Sequence, residues 1–271
     1  MSRVAILSPG GEFTHRLLAA LAERGAEADT LVLYVPSARR YLERLGSTPR
    51  RLLALPLLPA RWAAWRLRLR RQGFGRGARR VVFAGPLNGA GMARALRTLA
   101  PDVMLLAQCS IVSPAILSIP SRATVNVHPG LLPWVRGNGP FANALLRGVP
   151  LGCTAFRVDA GIDTGPLLRR RLLPVGGDDT LQDLRDGLYR LWVEMSADVI
   201  ADAAAGRLPP GTPQDARFPL GRTLPDAEAA RAAEGGRARA LFDRWRPFCD
   251  PRDLSLPADF DAAPLLQAGA A

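Results

Sequence analysis

Two residues with usable chemistry stand two positions apart in Asn126-Val127-His128-Pro129-Gly130-Leu131-Leu132-Pro133. They close a predicted strand over 124–127, and residues two apart in a strand project from the same side. The pair would present an amide donor beside an imidazole that exchanges protons near neutrality. Open parallel sheets bind ligands beyond the carboxyl ends of their strands, which is where this pair falls. The only other histidine, His15, sits in the first predicted helix. A third candidate, Asp163, lies in the tight segment Asp159–Pro166 between Gly161 and Gly165. Taken singly, each has a plainer explanation. Asn126 could close a turn, Asp163 could cap its own loop as an Asx turn, and the glycines could serve backbone geometry alone.

The elements that must position these groups are read from hydrophobic periodicity. Residues 3–8, 30–35, 81–84, 103–107 and 124–127 read as strands. Helical stretches at 13–24, 89–100 and 113–118 lie between them. Strand–helix alternation of this kind predicts an α/β fold, with a mostly parallel central sheet flanked by helices. The pattern then changes. Residues 154–158 and 167–175 read as two strands joined by Asp159–Pro166. A long helix follows over 180–205, with Leu181, Leu184, Leu188, Leu191 and Met195 at helical spacing. The expected organisation is a catalytic domain over 1–205 with an insert at about 39–80. A linker, a helix near 226–245 and a weakly ordered tail would make up 206–271, with Leu241, Trp245 and Phe248 docking on the core.

The net charge of +12 is concentrated in the insert, where residues 39–80 hold thirteen arginines and the single acid Glu43. Leu58, Trp62, Trp65 and Leu69 fall on one helical stripe there, and Arg61, Arg66, Arg68, Arg70 and Arg71 cover the other faces. This is either a surface helix packed by its tryptophans, a docking surface for an anionic ligand, or a homodimer interface. Three cysteines at 109, 153 and 249, with no Cys-x-x-Cys, argue against a disulfide framework or a zinc site. No run of about 18 apolar residues exists, so no membrane span is expected, and the chain reads as cytoplasmic.

The block from Leu105 to Leu168 resembles the formyltransferase superfamily that uses N10-formyltetrahydrofolate. The likeness rests on Asn126-Val127-His128-Pro129-Gly130-Leu131-Leu132-Pro133, Arg136-Gly137, Pro140, Gly148, Gly152-Cys153-Thr154 and Asp163-Thr164-Gly165-Pro166. It is closest to the methionyl-tRNA and amino-sugar branch, with the Arg136-Gly137 pair and Pro213-Gln214-Asp215 pointing there. The resemblance implies a Rossmann-like formyltransferase fold and a catalytic set of Asn126, His128 and Asp163. It implies folate contacts from Gln108, Cys109, Ser110, Ile111, Val112, Gly161, Ile162, Thr164 and Gly165. It implies acceptor contacts from Gly10, Gly11, Phe13, Arg136 and Gly137, and it needs no metal. Gly130 stands where the family usually has serine. The Leu132–Pro133 bond is expected to be cis.

The chemistry implied is acyl transfer. An amine attacks the formyl carbon, an oxyanion forms, and N10 leaves with a proton. Asn126 would donate to the oxyanion, His128 would shuttle the proton, and Asp163 would favour the charged imidazole. The expected acceptor is a small amine, such as an amino sugar nucleotide, an amino acid derivative or a specialised metabolite. A tRNA acceptor is disfavoured because only about two dozen residues follow Trp245, too few for the small barrel of tRNA-formylating relatives. Hydrolysis of the formyl-folate and a catalytically idle, nucleic-acid-binding fold are the competing expectations.

Overall fold

The computed structural model describes residues 2–35, 77–215, 217–223, 237–257 and 259–267, together with positions 60, 63, 64, 67, 68 and 74. The tryptophan stripe of the insert, most of its arginines, and the start of the helix expected near 226–245 lie outside the described residues. The chain divides into two compact units, Met1–Thr124 with Ile200–Arg207, and Val125–Val199 with Leu208–Ala271.

In the first unit, four strands are β1 (Val4–Ser8), β2 (Thr30–Val35), β3 (Val81–Pro86) and β4 (Val103–Leu106). They lie in the order β4-β1-β2-β3, and every pairing is parallel. All residues of β1, β2 and β4 are buried. Such near-continuous apolar runs are what a parallel strand covered on both faces requires. Helix α1 (Glu12–Glu23) lies between β1 and β2, α2 (Ala90–Leu99) between β3 and β4, and the single turn α3 (Pro114–Leu117) follows β4. The turn into α1 uses Gly10 and Gly11 at φ 81° and 98°, a region that favours glycine.

The larger run of paired strands in the second unit is antiparallel where the first unit is parallel. Strand β5 (Ala123–His128) pairs with β7 (Gly152–Arg157), which pairs with β8 (Leu167–Leu172), both antiparallel. This is the change of pattern expected after residue 150. Strand β6 (Arg136–Gly137) pairs in parallel with β9 (Leu220–Gly221), and α4 (Pro140–Leu146) follows β6. Leu132, Phe156 and Leu167 form a buried cluster with Val158 against it.

Helix α5 (Leu181–Ala204) starts where Thr180 and Asp183 cap each other. The Asp183 carboxylate accepts the Thr180 N–H at 2.9 Å, and the Asp183 N–H donates to the Thr180 hydroxyl at 3.2 Å. It ends at Gly206, φ 72°, with the Arg207 N–H returning to the Asp202 carbonyl.

Two expectations for the C-terminal part differ from the structure. Helix α6 (Arg237–Trp245) buries Leu241 and Trp245, and the Trp245 ring meets Trp134 edge-on at 5.2 Å; Phe248 instead leaves 47% of its surface exposed. The segment expected to be weakly ordered includes β10 (Ser255–Leu256), which pairs antiparallel with β8, and the short helix α7 (Ala263–Gln267). Two-residue strands leave no periodicity to read.

Candidate active site

All three candidate catalytic residues fall in the second unit. Asn126 and His128 sit at the end of β5, and their register opposite Phe156 and Thr154 of β7 fixes their direction. The turn that leaves His128 is built on Thr154, whose hydroxyl donates to the Gly130 carbonyl at 2.8 Å and accepts the Leu132 N–H at 3.0 Å. The Trp192 indole of α5 donates to the Val127 carbonyl at 2.7 Å, between Asn126 and His128. The Leu132–Pro133 bond is cis, as expected.

His128 is 7% exposed, and its Nδ1 lies 3.6 Å from Asp163 Oδ2. Burial pushes its pKa below the ordinary value, while the Asp163 carboxylate and the Val135 backbone act the other way. Its Nε2 is buried and has no hydrogen-bond partner among the described residues. That nitrogen faces Gly130, where an added Cβ would lie 2.9 Å from Nε2 and 3.0 Å from Val135 Cγ1. The side chain of Asn126 is half-buried and makes no hydrogen bond among the described residues. An amide donor is therefore available beside a buried imidazole.

Asp163 has a left-handed backbone, φ 54°. A non-glycine residue keeps that conformation only when its surroundings fix it. The Asp163 carboxylate accepts the Gly137 N–H at 2.9 Å through the oxygen that faces His128. Within the loop, Asp159 accepts the Gly161 N–H at 3.0 Å and the Thr164 hydroxyl at 2.6 Å, so the Asx turn belongs to Asp159 rather than Asp163. A Cβ at Gly165 would strike the Arg157 carbonyl, which gives this glycine a steric reason of its own.

Two of the expected acceptor contacts are engaged with the protein itself. Arg136 is buried, with Nε and Nη2 donating to the Ile162 carbonyl at 3.1 and 2.8 Å and Nη1 donating to the Phe218 carbonyl at 2.8 Å. Its guanidinium holds the backbone of these two residues in place. Phe13 is 2% exposed, because it falls on the face of α1 that packs into the core. Gly10 and Gly11 form the turn before α1, and the Gly10 N–H donates to the Ser8 hydroxyl.

The expected folate segment, residues 108–112, belongs to the first unit and follows β4. Gln108 is exposed and left-handed, φ 55°. Cys109 donates to the Leu7 carbonyl at 3.1 Å, and desolvation pushes its thiol up to about 12. Ser110 is half-buried and Val112 is buried. Ile111 exposes 74% of its surface while its carbonyl accepts the Asn88 amide at 3.1 Å. Ile162 is also exposed, and Thr164 is half-buried.

Gln214 was missed as a site residue, although its Pro-Gln-Asp setting marks the segment. Its Nε2 donates to the carbonyls of Asp163 and Gly165 at 3.2 and 2.6 Å. No group of three or more His, Cys, Asp or Glu side chains suited to a metal ion occurs among the described residues. No helix among them is long and apolar enough to cross a membrane.

A strand-end amide and imidazole, faced by a carboxylate on a tight loop, define a site suited to proton transfer and oxyanion stabilisation. Residues 84–200 match the family described as formyl transferase, and this segment contains all three groups. The methionyl-tRNA formyltransferase of Acidithiobacillus ferrooxidans is 42% identical over 122 residues, 44% of this chain and 39% of that protein. The methionyl-tRNA formyltransferase of Aromatoleum aromaticum is 32% identical over 171 residues, 62% of this chain and 50% of that one. The chain thus spans two fifths to one half of these curated relatives. Among solved structures, glycinamide ribonucleotide transformylase 1 from Symbiobacterium toebii superposes with a TM-score of 0.53 at 23% identity, covering 79% of this chain and 93% of that one. A sugar N-formyltransferase from Shewanella sp. gives 0.53 at 17% identity, covering 86% and 88%. The fold is the Rossmann-like fold of the formyltransferases.

Proposed function

We propose that the chain transfers the formyl group of N10-formyltetrahydrofolate to an amine, with Asn126, His128 and Asp163 as catalytic residues. The observation that carries this reading is the pairing of an uncommitted Asn126 amide with a buried His128 whose Nδ1 faces Asp163 at 3.6 Å. The amide N–H donates to the oxyanion as the amine adds. A donor of this kind contributes roughly 3–4 kcal/mol in acyl-transfer sites. Burial keeps His128 neutral at physiological pH, so it can accept the proton of the attacking nitrogen and return it to N10. The imidazolium formed in between is stabilised by Asp163.

Contacts from residues 108–112, 161, 162, 164 and 165 to the folate belong to this proposal. So does an anionic group held at the arginine-rich insert. The acceptor favoured is a small amine, in keeping with the structural likeness to a sugar N-formyltransferase. Methionyl-tRNA is the second reading, favoured by the curated relatives at up to 42% identity. The expectation against tRNA rested on the length of chain after Trp245, whereas the matched curated relatives are named for that acceptor.

The test is incubation with the formyl-folate and a panel of amino sugar nucleotides, amino acid derivatives and aminoacylated tRNA. A product heavier by about 28 Da, the mass of CO gained in acyl transfer to an amine, is expected from one class. Formate release with no formylated product from any member would favour hydrolysis instead.

A further inference from the structure

We infer that Gln214 is a positioning residue that holds the Asp163 loop in its working conformation from outside the segment matching the formyl transferase family. This rests on the proposed role of Asp163. The loop gains little conformational preference from Asp163 itself, which sits at φ 54°. Its carbonyls are instead tied down one after another. Arg136 takes the carbonyl of Ile162, and Gln214 takes those of Asp163 and Gly165. The Gly137 N–H then donates to the Asp163 carboxylate.

Gln214 arrives on a strap that crosses the loop. Thr212 exchanges backbone hydrogen bonds with Leu167 at 2.8 and 2.7 Å. Beyond Gln214, the Phe218 carbonyl accepts Arg136, and Leu220–Gly221 pair with Arg136–Gly137. The Arg222 carbonyl accepts the Asn143 amide at 2.9 Å. The family match ends at residue 200, so the strap lies wholly beyond it. Both partners of the Gln214 amide nitrogen are carbonyls, so that end of the side chain must be the NH2 group. Its Oε1 is left buried with no partner among the described residues.

The test uses the full chain and does not require the acceptor to be known. The chain has two histidines, so labelled imidazoles report His128 and His15 separately by NMR. His15 stacks on Phe74 at 4.6 Å and serves as the control. Gln214→Met keeps the length of the side chain and removes both donors. The expected result is a His128 titration displaced to lower pH, in the direction Asp163→Asn also produces, because a displaced carboxylate supports the imidazolium less. His15 is expected to stay put. With formyl transfer as the readout, kcat is expected to fall about tenfold to a hundredfold with KM within about twofold, as for a misplaced catalytic group.

Adding Gln214→Met to Asp163→Asn should then cost little more, since both changes act on one group. A variant with unchanged His128 titration and kcat overturns the inference, even if its Tm falls. Should Gln214→Met fail to fold, Gln214→Glu replaces it, because an ionised carboxylate cannot donate to the two carbonyls. A wild-type titration in that variant overturns the inference equally. Absence of formyl product from the wild-type chain would fail the functional reading, while the NMR comparison would still decide where Asp163 is held.

Discussion

Residues 126–137 and residues 212–222 act on the same carboxylate by different chemistry. The first stretch brings the side chains proposed to react, Asn126 and His128, and one backbone N–H that donates to Asp163 directly. The second brings Gln214 and a row of backbone groups that hold the loop carrying Asp163. Reacting groups must be particular residue types at particular spacings. Holding groups need only reach a carbonyl, and every residue has one. Substitutions in the two stretches should therefore fail in different ways.

The largest separation is expected from the reacting side. His128→Ala or Asp163→Ala should lower the rate of formyl transfer by about 10²–10⁴, the range for loss of a positioned acid–base group. Asn126→Ala should lower it by about 10²–10³, the range for an oxyanion donor. Asn126 makes no side-chain hydrogen bond among the described residues, so its removal should leave the denaturation midpoint nearly unchanged. Near-normal turnover in either the His128 or the Asp163 variant would break the assignment.

Arg136→Met tests the holding side. It strips the part-buried Ile162 and Phe218 carbonyls of their charged partner. A hydrogen bond to a charged group contributes roughly 1.5–3 kcal/mol. Denaturant unfolding should show a loss on that scale together with reduced kcat, a combination not expected of Asn126→Ala. Loss of acceptor binding alone, with stability and kcat intact, would return Arg136 to the acceptor-contact role its motif first implied.

The same contrast explains what could be read before the structure. Strands of four to six buried residues and the long capped helix announce themselves through hydropathy, and β2 spans the expected residues 30–35. Asn126, His128 and Asp163 stand out as candidates because their spacing matches a motif. The burial of Phe13 and the carbonyl partners of Arg136 do not, since a motif records that a residue is present and not which way it points. Strands β6, β9 and β10 have two residues each, and pairing partners 84 positions apart leave no local trace. Gln214 belongs with these, because its partners are carbonyls.

A pH dependence follows from His128 and separates its two states. Its pKa is lowered by burial from the ordinary value of 6.5, so the unfolded chain binds the proton more readily than the folded one. Its contribution to stability is therefore fully present above 6.5 and is lost as pH falls through the folded value. The acid limb of the rate profile should likewise lie below 6.5, since neutral His128 is the proposed base. Asp163→Asn removes the neighbouring charge that supports the imidazolium, and the limb should move lower still. An acid limb above 6.5 in the wild-type chain would show that another group limits the rate.

Gly130 gives the smallest and most local test, because it touches the reacting group without being one. The related family usually has serine here, but a Cβ would come within 2.9 Å of His128 Nε2 and 3.0 Å of Val135 Cγ1. Gly130→Ser must therefore move the ring or the valine. If the ring moves, the Nδ1–Asp163 separation changes and turnover should fall by about tenfold, within the effect of small misplacements. Val135→Ala removes Cγ1 and opens the side away from the ring, so the double variant should recover much of the loss. The two residues touch, and non-additivity is the expected sign of a shared steric cause. Equal turnover in Gly130→Ser and the wild-type chain would mean that the valine yields first. His128 would then be held chiefly from the Asp163 side, and Gly130 would be an accommodation to Val135 alone.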